Sequence, residues 1–106
     1  MNAKIENTDN LLTVYLSGEI DHHLAKLIRE EVDLHITSSK PQVVNLDFRD
    51  VSFMDSSGIG LIMGRYRLVS AYGGKVCISN VSAYLKRVMR LAGIDSIVEI
   101  KNEKEN

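Results

Sequence analysis

The amino-acid sequence predicts an α/β fold with a small mixed sheet, mostly parallel, and with helices chiefly on one of its faces. Stretches with a two-residue apolar repeat alternate with stretches of helical repeat, in the order β-β-α-β-α-β-α-β. Polar residues also occupy alternate strand positions, which predicts one sheet face partly open to water, because a parallel sheet covered on both faces is apolar throughout. The 106 residues suffice for a single domain, 1–106, whose polar C-terminal tail spans about 101–106.

Short polar and glycine-containing segments predict where the elements begin and end. The residues SGE at 17–19 are expected to break the second strand. Asp21 and Ser82 are suited to cap helices, and glycines at 73–74 and at Gly93 are suited to end them. The predicted elements are strands at 4–6, 11–17, 42–48, 75–80 and 97–100, and helices at about 22–38, 57–71 and 83–92.

Apolar residues at helical spacing predict which helix faces are buried. The expected inward residues are Leu24, Leu27, Ile28, Val32 and Ile36 on the first helix, Ile59, Ile62, Tyr66 and Val69 on the second, and Leu85, Val88 and Ala92 on the third. The basic residues of the second and third helices are expected to be solvated: Arg65, Arg67, Lys86, Arg87 and Arg90.

Charge and composition exclude several classes of partner. With 13 basic and 14 acidic residues the formal net charge is −1, so we expect no general attraction to nucleic acid or to a membrane surface. The single cysteine, Cys77, has no intramolecular disulfide partner and is expected to be a half-buried apolar residue. No signal peptide or membrane-spanning stretch is recognised, and the sequence is therefore interpreted as that of a cytoplasmic protein.

The segment FMDSSGIG at 53–60 leaves two interpretations open from its chemistry alone. Asp55, Ser56 or Ser57 is placed to cap the following helix, and the same helix start would favour a phosphate or a phosphorylated serine. A nucleophilic serine is disfavoured because the G-x-S-x-G elbow is absent. A dinucleotide-binding loop is disfavoured because Met63 stands where the third glycine is required.

The residues Asp21, His22 and His23 form the only other segment that suggests chemistry, namely metal binding. Adjacent residues on a helix point about 100° apart, so two neighbouring histidines make a poor ligand pair. We therefore predict no metal site and no cofactor.

Four segments closely resemble the anti-sigma factor antagonists of the STAS domain family, over about residues 3–100. They are GEIDHHLA at 18–25, VNLDF at 44–48, VSFMDSSGIGLIMGRYR at 51–67 and GG at 73–74. The resemblance implies a non-enzymatic protein that, when unphosphorylated, binds an anti-sigma factor that is also a serine kinase, and so releases a sporulation sigma factor. It implies that the kinase phosphorylates Ser56 and that a serine phosphatase reverses this step.

The resemblance also suggests a surface for the partner. This surface consists of Gly18, Glu19, Ile20, Asp21 and His22, together with Asp55, Ser56, Ser57, Gly58, Ile59, Gly60, Met63 and Arg67. The competing hypothesis is a small-ligand sensor in which the glycines of the motif bind a nucleotide weakly.

Overall fold

The computed structural model describes residues 3–101, which form one five-stranded sheet and three α-helices. The strands are β1 (Lys4–Thr8), β2 (Leu11–Ile20), β3 (Val43–Met54), β4 (Lys75–Ser79) and β5 (Glu99–Ile100). The helices are α1 (His22–Ser39), α2 (Ser56–Ser70) and α3 (Ala83–Leu91), and a short 3-10 helix spans Ile94–Ser96. The predicted tail at 101–106 lies outside the described residues, apart from Lys101.

The sheet is mixed and mostly parallel, as predicted. Its strand order is β1-β2-β3-β4-β5, with β1 antiparallel to β2 and every later pair parallel. Each crossover steps in the same direction across the sheet, and right-handed connections therefore place all three helices on one face. The α/β prediction is confirmed.

The core lies between that face and the helices. Alternate residues of the three central strands point into it, each 3% exposed or less: Leu12, Val14, Leu16, Val44, Leu46, Phe48, Val76 and Ile78. They form one cluster with helix residues such as Ile28, Ile62 and Leu85. Full burial of each such side chain contributes about 1.5–3 kcal/mol, so this layer is the main source of stability.

The opposite sheet face is polar and hydrogen-bonded. Asn45 Nδ2 donates to Ser79 Oγ at 3.1 Å, and Asn80 Nδ2 donates to Asp47 Oδ2 at 2.9 Å. Asp47 is only 8% exposed, and the bond from Asn80, together with one from the Arg49 N–H to Oδ1 at 2.8 Å, satisfies a carboxylate that would otherwise be costly to bury.

Three strands are longer than predicted. β1 extends to Thr8 instead of ending at 6, and β2 and β3 continue because irregular pairing hides their period-two pattern. β2 passes through the SGE segment to Ile20, and β3 continues beyond residue 48 to Met54. Their register shifts between Gly18 and Glu19, where Gly18 has a φ of +85°. Glycine adopts this backbone conformation without a steric penalty, so the bulge lets the strand continue where the sequence suggested a break.

The helix ends agree with the predicted caps. Asp21 Oδ1 accepts from the Leu24 N–H at 2.9 Å, and Ser82 Oγ accepts from the Leu85 N–H at 3.2 Å. Gly93 has a φ of +81° and follows the end of α3.

Three predicted side-chain positions are wrong. Cys77 is buried, at 1% exposed, rather than half-buried. Ala92 is exposed, because α3 ends at Leu91 and Met89 takes the inward position instead. Arg65 is buried rather than solvated, with only 5% of the residue exposed, because its guanidinium pairs with Asp33 on α1. The last strand is also shorter than predicted, since the 3-10 helix precedes it.

Candidate functional site

The candidate site forms where β2 and β3 end next to each other. Ile20 and Met54, the last residues of these parallel strands, are paired, and each strand passes directly into a helix. Asp55 caps α2 as Asp21 caps α1, with its Oδ1 accepting from the Ser57 N–H at 2.8 Å. Two helix N-termini with aspartate caps therefore lie at one edge of the sheet.

Ser56 is the first residue of α2 and is exposed. Its hydroxyl has no hydrogen-bond partner among residues 3–101, since the capping bond is made by Asp55 instead. The neighbouring Ser57 is half-buried and turns toward α1. Of the motif's two hydroxyls, that of Ser56 is the more accessible to another protein.

The two glycines of the motif have different structural roles. A Cβ on Gly58 would stand 2.7 Å from Met54 Sδ and 2.9 Å from Met54 Cβ, so glycine is required for α2 to pack over the strand end. A Cβ on Gly60 would meet nothing within 4 Å. Since glycine within a helix costs roughly 0.5–1 kcal/mol relative to alanine, Gly60 has no structural advantage in the isolated domain.

The outward side of α2 carries a strip of predicted partner-binding residues. Ser56, Gly60, Met63 and Arg67 are spaced by four, three and four residues, which places them along one side of the helix. Gly60 and Arg67 are exposed and Met63 is half-buried, while the opposite side of α2 packs into the core. Ile59 is half-buried beside this strip.

The strand-end segment of the predicted surface is acidic and exposed, with one exception. Glu19, Asp21 and His22 are exposed, as is Gly18 at the bulge. Ile20 is 0% exposed, so its side chain belongs to the core rather than to the surface. Gly58 is likewise buried, against Met54. These two residues shape the surface from below and offer no side-chain contact to a partner.

Phe53 is a surface residue at this edge that is absent from the predicted partner surface. This residue is 43% exposed although its side chain is large and apolar, and its backbone pairs with that of Glu19 across the ends of β3 and β2. In the sequence, Phe53 stands out only as an aromatic residue two positions before the motif aspartate. Because the predicted strand ends at 48, the sequence does not indicate that Phe53 is exposed at a strand end.

A groove between α1 and α2 meets the motif at Ser57. It has a volume of about 270 Å³ and is lined by His22, Ala25, Lys26 and Arg29 from α1 and by Ser57, Gly60 and Leu61 from α2. The groove is therefore basic, whereas the adjacent strand ends with Glu19, Asp21 and Asp55 are acidic.

The described residues offer neither a metal-binding cluster nor a membrane-spanning helix. Residues 3–101 contain no group of three or more histidine, cysteine, aspartate or glutamate side chains arranged to hold a metal ion. Within the same range no helix has both the length and the apolar character needed to cross a bilayer.

The five-stranded mixed sheet with its helices on one face is the fold of a small regulatory domain of the STAS type. Asp55 and Ser56 are exposed at one of its strand-to-helix junctions. The STAS domain family model matches residues 2–106. The chain belongs to this family and, within it, to the anti-sigma factor antagonists.

Named relatives and solved structures agree with this assignment. The chain is 32% identical over 106 residues to the anti-sigma F factor antagonist of Paenibacillus polymyxa, covering 100% of this chain and 91% of the relative. It is 30% identical over 105 residues to the anti-sigma-B factor antagonist of Bacillus subtilis strain 168, with 99% and 94% covered.

Two structures of the anti-sigma factor antagonist SpoIIAA match the fold. The unphosphorylated form gives a TM-score of 0.77 at 27% identity, with 96% of this chain and 89% of the other covered. The phosphorylated form from Bacillus gives 0.75 at 29% identity, with 95% and 92% covered. The fold is therefore one that SpoIIAA adopts in both states.

Proposed function

We propose that this protein is a non-enzymatic, cytoplasmic switch that controls a sporulation sigma factor by exchanging partners. In its unphosphorylated form it binds an anti-sigma factor that is also a serine kinase, and the sigma factor is released. Phosphorylation of Ser56 by that kinase ends the binding, and a serine phosphatase restores it. Similarity to an anti-sigma F factor antagonist and to SpoIIAA supports the sporulation role, although similarity to an anti-sigma-B factor antagonist is nearly as high.

The observation that carries this proposal is the position of Ser56. Its hydroxyl is exposed at the first residue of α2 and makes no bond that the fold depends on. A helix N-terminus favours a nearby anion by about 0.3–1 kcal/mol, so a phosphate there leaves the domain folded. The phosphorylated form of a relative has been solved with this same fold, which supports the idea.

Phosphorylation would affect binding of the partner much more than it affects folding. A phosphoserine adds about −1.5 to −2 charges at neutral pH, beside the carboxylates of Asp55 and Asp21. Burying that charge without a cation to pair it costs several kcal/mol in an interface. Binding is thus lost while folding is retained, which is the behaviour that a switch requires.

Substitutions at position 56 test the proposal against the cognate anti-sigma factor. Ser56→Ala should bind it with near-native affinity, and Ser56→Asp should bind at least about tenfold more weakly with an unchanged unfolding temperature. Ser70→Asp adds the same charge at the opposite end of α2 and serves as the control. Equal affinity of Ser56→Asp and the native protein, measured by calorimetry, would contradict the proposal.

A phosphorylation assay tests the modified atom directly. The native protein, incubated with the anti-sigma factor and ATP, should gain one phosphate that peptide mass spectrometry maps to position 56. Ser57→Ala should be modified equally, and Ser56→Ala should remain unmodified. Phosphate found at position 57 instead would reassign the switch to the half-buried hydroxyl.

A further inference from the structure

The basic groove between α1 and α2 contains two cationic residues, Lys26 and Arg29, that the predicted partner surface does not include. Its α1 side presents Lys26 and Arg29 one turn apart, with His22 at the opening. Its α2 side presents the hydroxyl-bearing Ser57 and the bare backbone of Gly60. A Cβ added at Gly60 would meet nothing within 4 Å. None of the lining residues is acidic, so the groove has a cationic wall without an internal counter-charge.

No carboxylate among residues 3–101 forms an ion pair with Lys26 within 4.0 Å. Asp33 is engaged by Arg65, at 2.9 Å between Oδ1 and Nε, and Arg29 also acts on Asp33, where its charge opposes the burial that raises the pKa of this carboxyl. Glu30, one turn after Lys26, forms no ion pair with it and does not line the groove. Lys26 is therefore the groove cation that is best placed to pair with an incoming anion. Arg29 can contribute as well, but its charge already acts on Asp33.

The size and chemistry of the groove favour a side chain over a nucleotide. A volume of about 270 Å³ lies below the range of roughly 300–1,000 Å³ typical of small-molecule sites. No tyrosine, phenylalanine or tryptophan lines it for a base to stack on. Gly58, the first glycine of the motif, is committed to packing against Met54 and is not part of a phosphate-binding loop.

We propose that this groove docks an acidic side chain, aspartate or glutamate, from the anti-sigma factor, with Lys26 as its main cation. This inference rests on the proposed function, since it assigns a further contact to the same complex. The groove shares Ser57 and Gly60 with the surface around Ser56, so one partner can cover both at once. Acidic strand ends beside a basic groove would fix the partner's orientation, because a rotated partner would bring like charges together.

Charge reversal at Lys26 tests the inference in binding experiments with the native anti-sigma factor. Lys26→Glu should raise the Kd at least about tenfold, and the native affinity should fall more steeply with added NaCl than that of the variant. Lys75→Glu is the matched control, because Lys75 is exposed at the start of β4, the opposite end of the sheet. Its Kd should stay within about twofold of the native value.

A compensating change identifies the partner residue. Acidic residues on the anti-sigma factor are changed to lysine one at a time, and one of these variants should bind Lys26→Glu more tightly than it binds the native protein. If no acidic residue behaves in this way, or if Lys26→Glu binds like the native protein, the docking inference is wrong while the switch proposal stands. If the native protein itself fails to bind, both fall.

The rival occupant is a phosphate group, and it has its own test. Titration of the native protein with ATP, and separately with inorganic phosphate, should give no binding at micromolar concentrations. Micromolar ATP binding that is lost in Lys26→Glu would overturn the docking inference and assign the groove to a nucleotide. Binding of inorganic phosphate that is lost in the same variant would assign it to a phosphoryl group instead.

Discussion

Arg65 on α2 forms an ion pair with Asp33 on α1, with 2.9 Å between Nε and Oδ1 but without hydrogen-bond geometry. The hydrogen bond between the two side chains runs from Nη2 to Oδ2 at 3.4 Å. The guanidinium also donates through Nη1 to the Leu61 carbonyl at 3.3 Å. Burial lowers the pKa of Arg65, with Asp33 opposing that effect, and burial raises the pKa of Asp33, with Arg65 opposing. The pair thus joins the two helices that flank the groove, but at an appreciable desolvation cost.

Replacing one charged residue of this pair is expected to destabilise the fold more than replacing both of them with apolar residues. Asp33→Asn leaves a charged Arg65 in a site that is 5% exposed, and should lower the free energy of unfolding by about 2 kcal/mol. This is less than the roughly 3–5 kcal/mol of a fully buried pair, because a third of the Asp33 side chain still reaches water. Urea unfolding monitored by circular dichroism measures the change.

The double variant Asp33→Leu/Arg65→Met provides the comparison. Because this variant has neither charge to desolvate, its free energy of unfolding should fall less than that of Asp33→Asn alone. A double variant less stable than the single variant would mean that the ion pair contributes net stability to the domain.

The buried Arg65 illustrates what the sequence could and could not predict. Periodicity and caps depend on neighbouring residues, and so Asp21, Ser82 and the α/β order were predicted correctly. Arg65 was misplaced because its partner is 32 residues away, and no local pattern signals a contact across two helices. The continuation of β2 through Gly18 was missed for a related reason, since the bulge depends on pairing with β3.

For the candidate site, too, the sequence indicates the residue types of the motif but not which of its neighbours are exposed. The turn at Asp55 and Ser56 is recognisable from residue types, but the burial of Ile20 and the exposure of Phe53 depend on where two distant strands end together. The basic groove likewise requires α1 and α2 to lie side by side, which the topology determines and the local sequence does not.

Alanine at the two motif glycines should have opposite effects on stability. Gly58→Ala should destabilise the fold by about 1–3 kcal/mol, because its Cβ would overlap Met54. Gly60→Ala should stabilise the fold by roughly 0.5–1 kcal/mol, because alanine favours the helix and nothing lies within 4 Å. Thermal unfolding of both variants measures the difference.

Gly60→Ala should nevertheless bind the anti-sigma factor more weakly, because the added methyl stands on the proposed contact strip. Gly64→Ala is its control, since a Cβ there also meets nothing within 4 Å and should give similar stabilisation. Undiminished affinity of Gly60→Ala would mean that no partner approaches the helix closely at this position.

Cys77 should make the stability of the domain fall in alkaline solution. Burial raises the pKa of its thiol, and the side chain is 1% exposed. The unfolded chain releases this proton near pH 8.5, before the folded protein does, so the contribution of Cys77 is complete below that pH and is lost as the pH rises toward the folded pKa. Urea unfolding between about pH 7 and pH 10 should show the decline.

Cys77→Ala isolates this contribution from those of other groups. The burial of Tyr72 raises its pKa and acts in the same direction, but it is unchanged in the variant. The variant should start less stable and decline less steeply above pH 8. A parallel decline in both proteins would assign the pH dependence to the tyrosines.

Phe53 should be an important contact for the anti-sigma factor. An aromatic residue that is 43% exposed at the edge of the proposed interface has much apolar area left to bury, and aromatic residues dominate the energetics of many interfaces. Phe53→Ala should weaken binding by roughly 1–2 kcal/mol while changing the free energy of unfolding far less than a core substitution would. Leu91→Ala is the control, because Leu91 is 84% exposed at the end of α3. Calorimetric titration of both variants decides the matter: if they bind equally well, Phe53 lies outside the contact area, and the partner is confined to the helix side of this sheet edge.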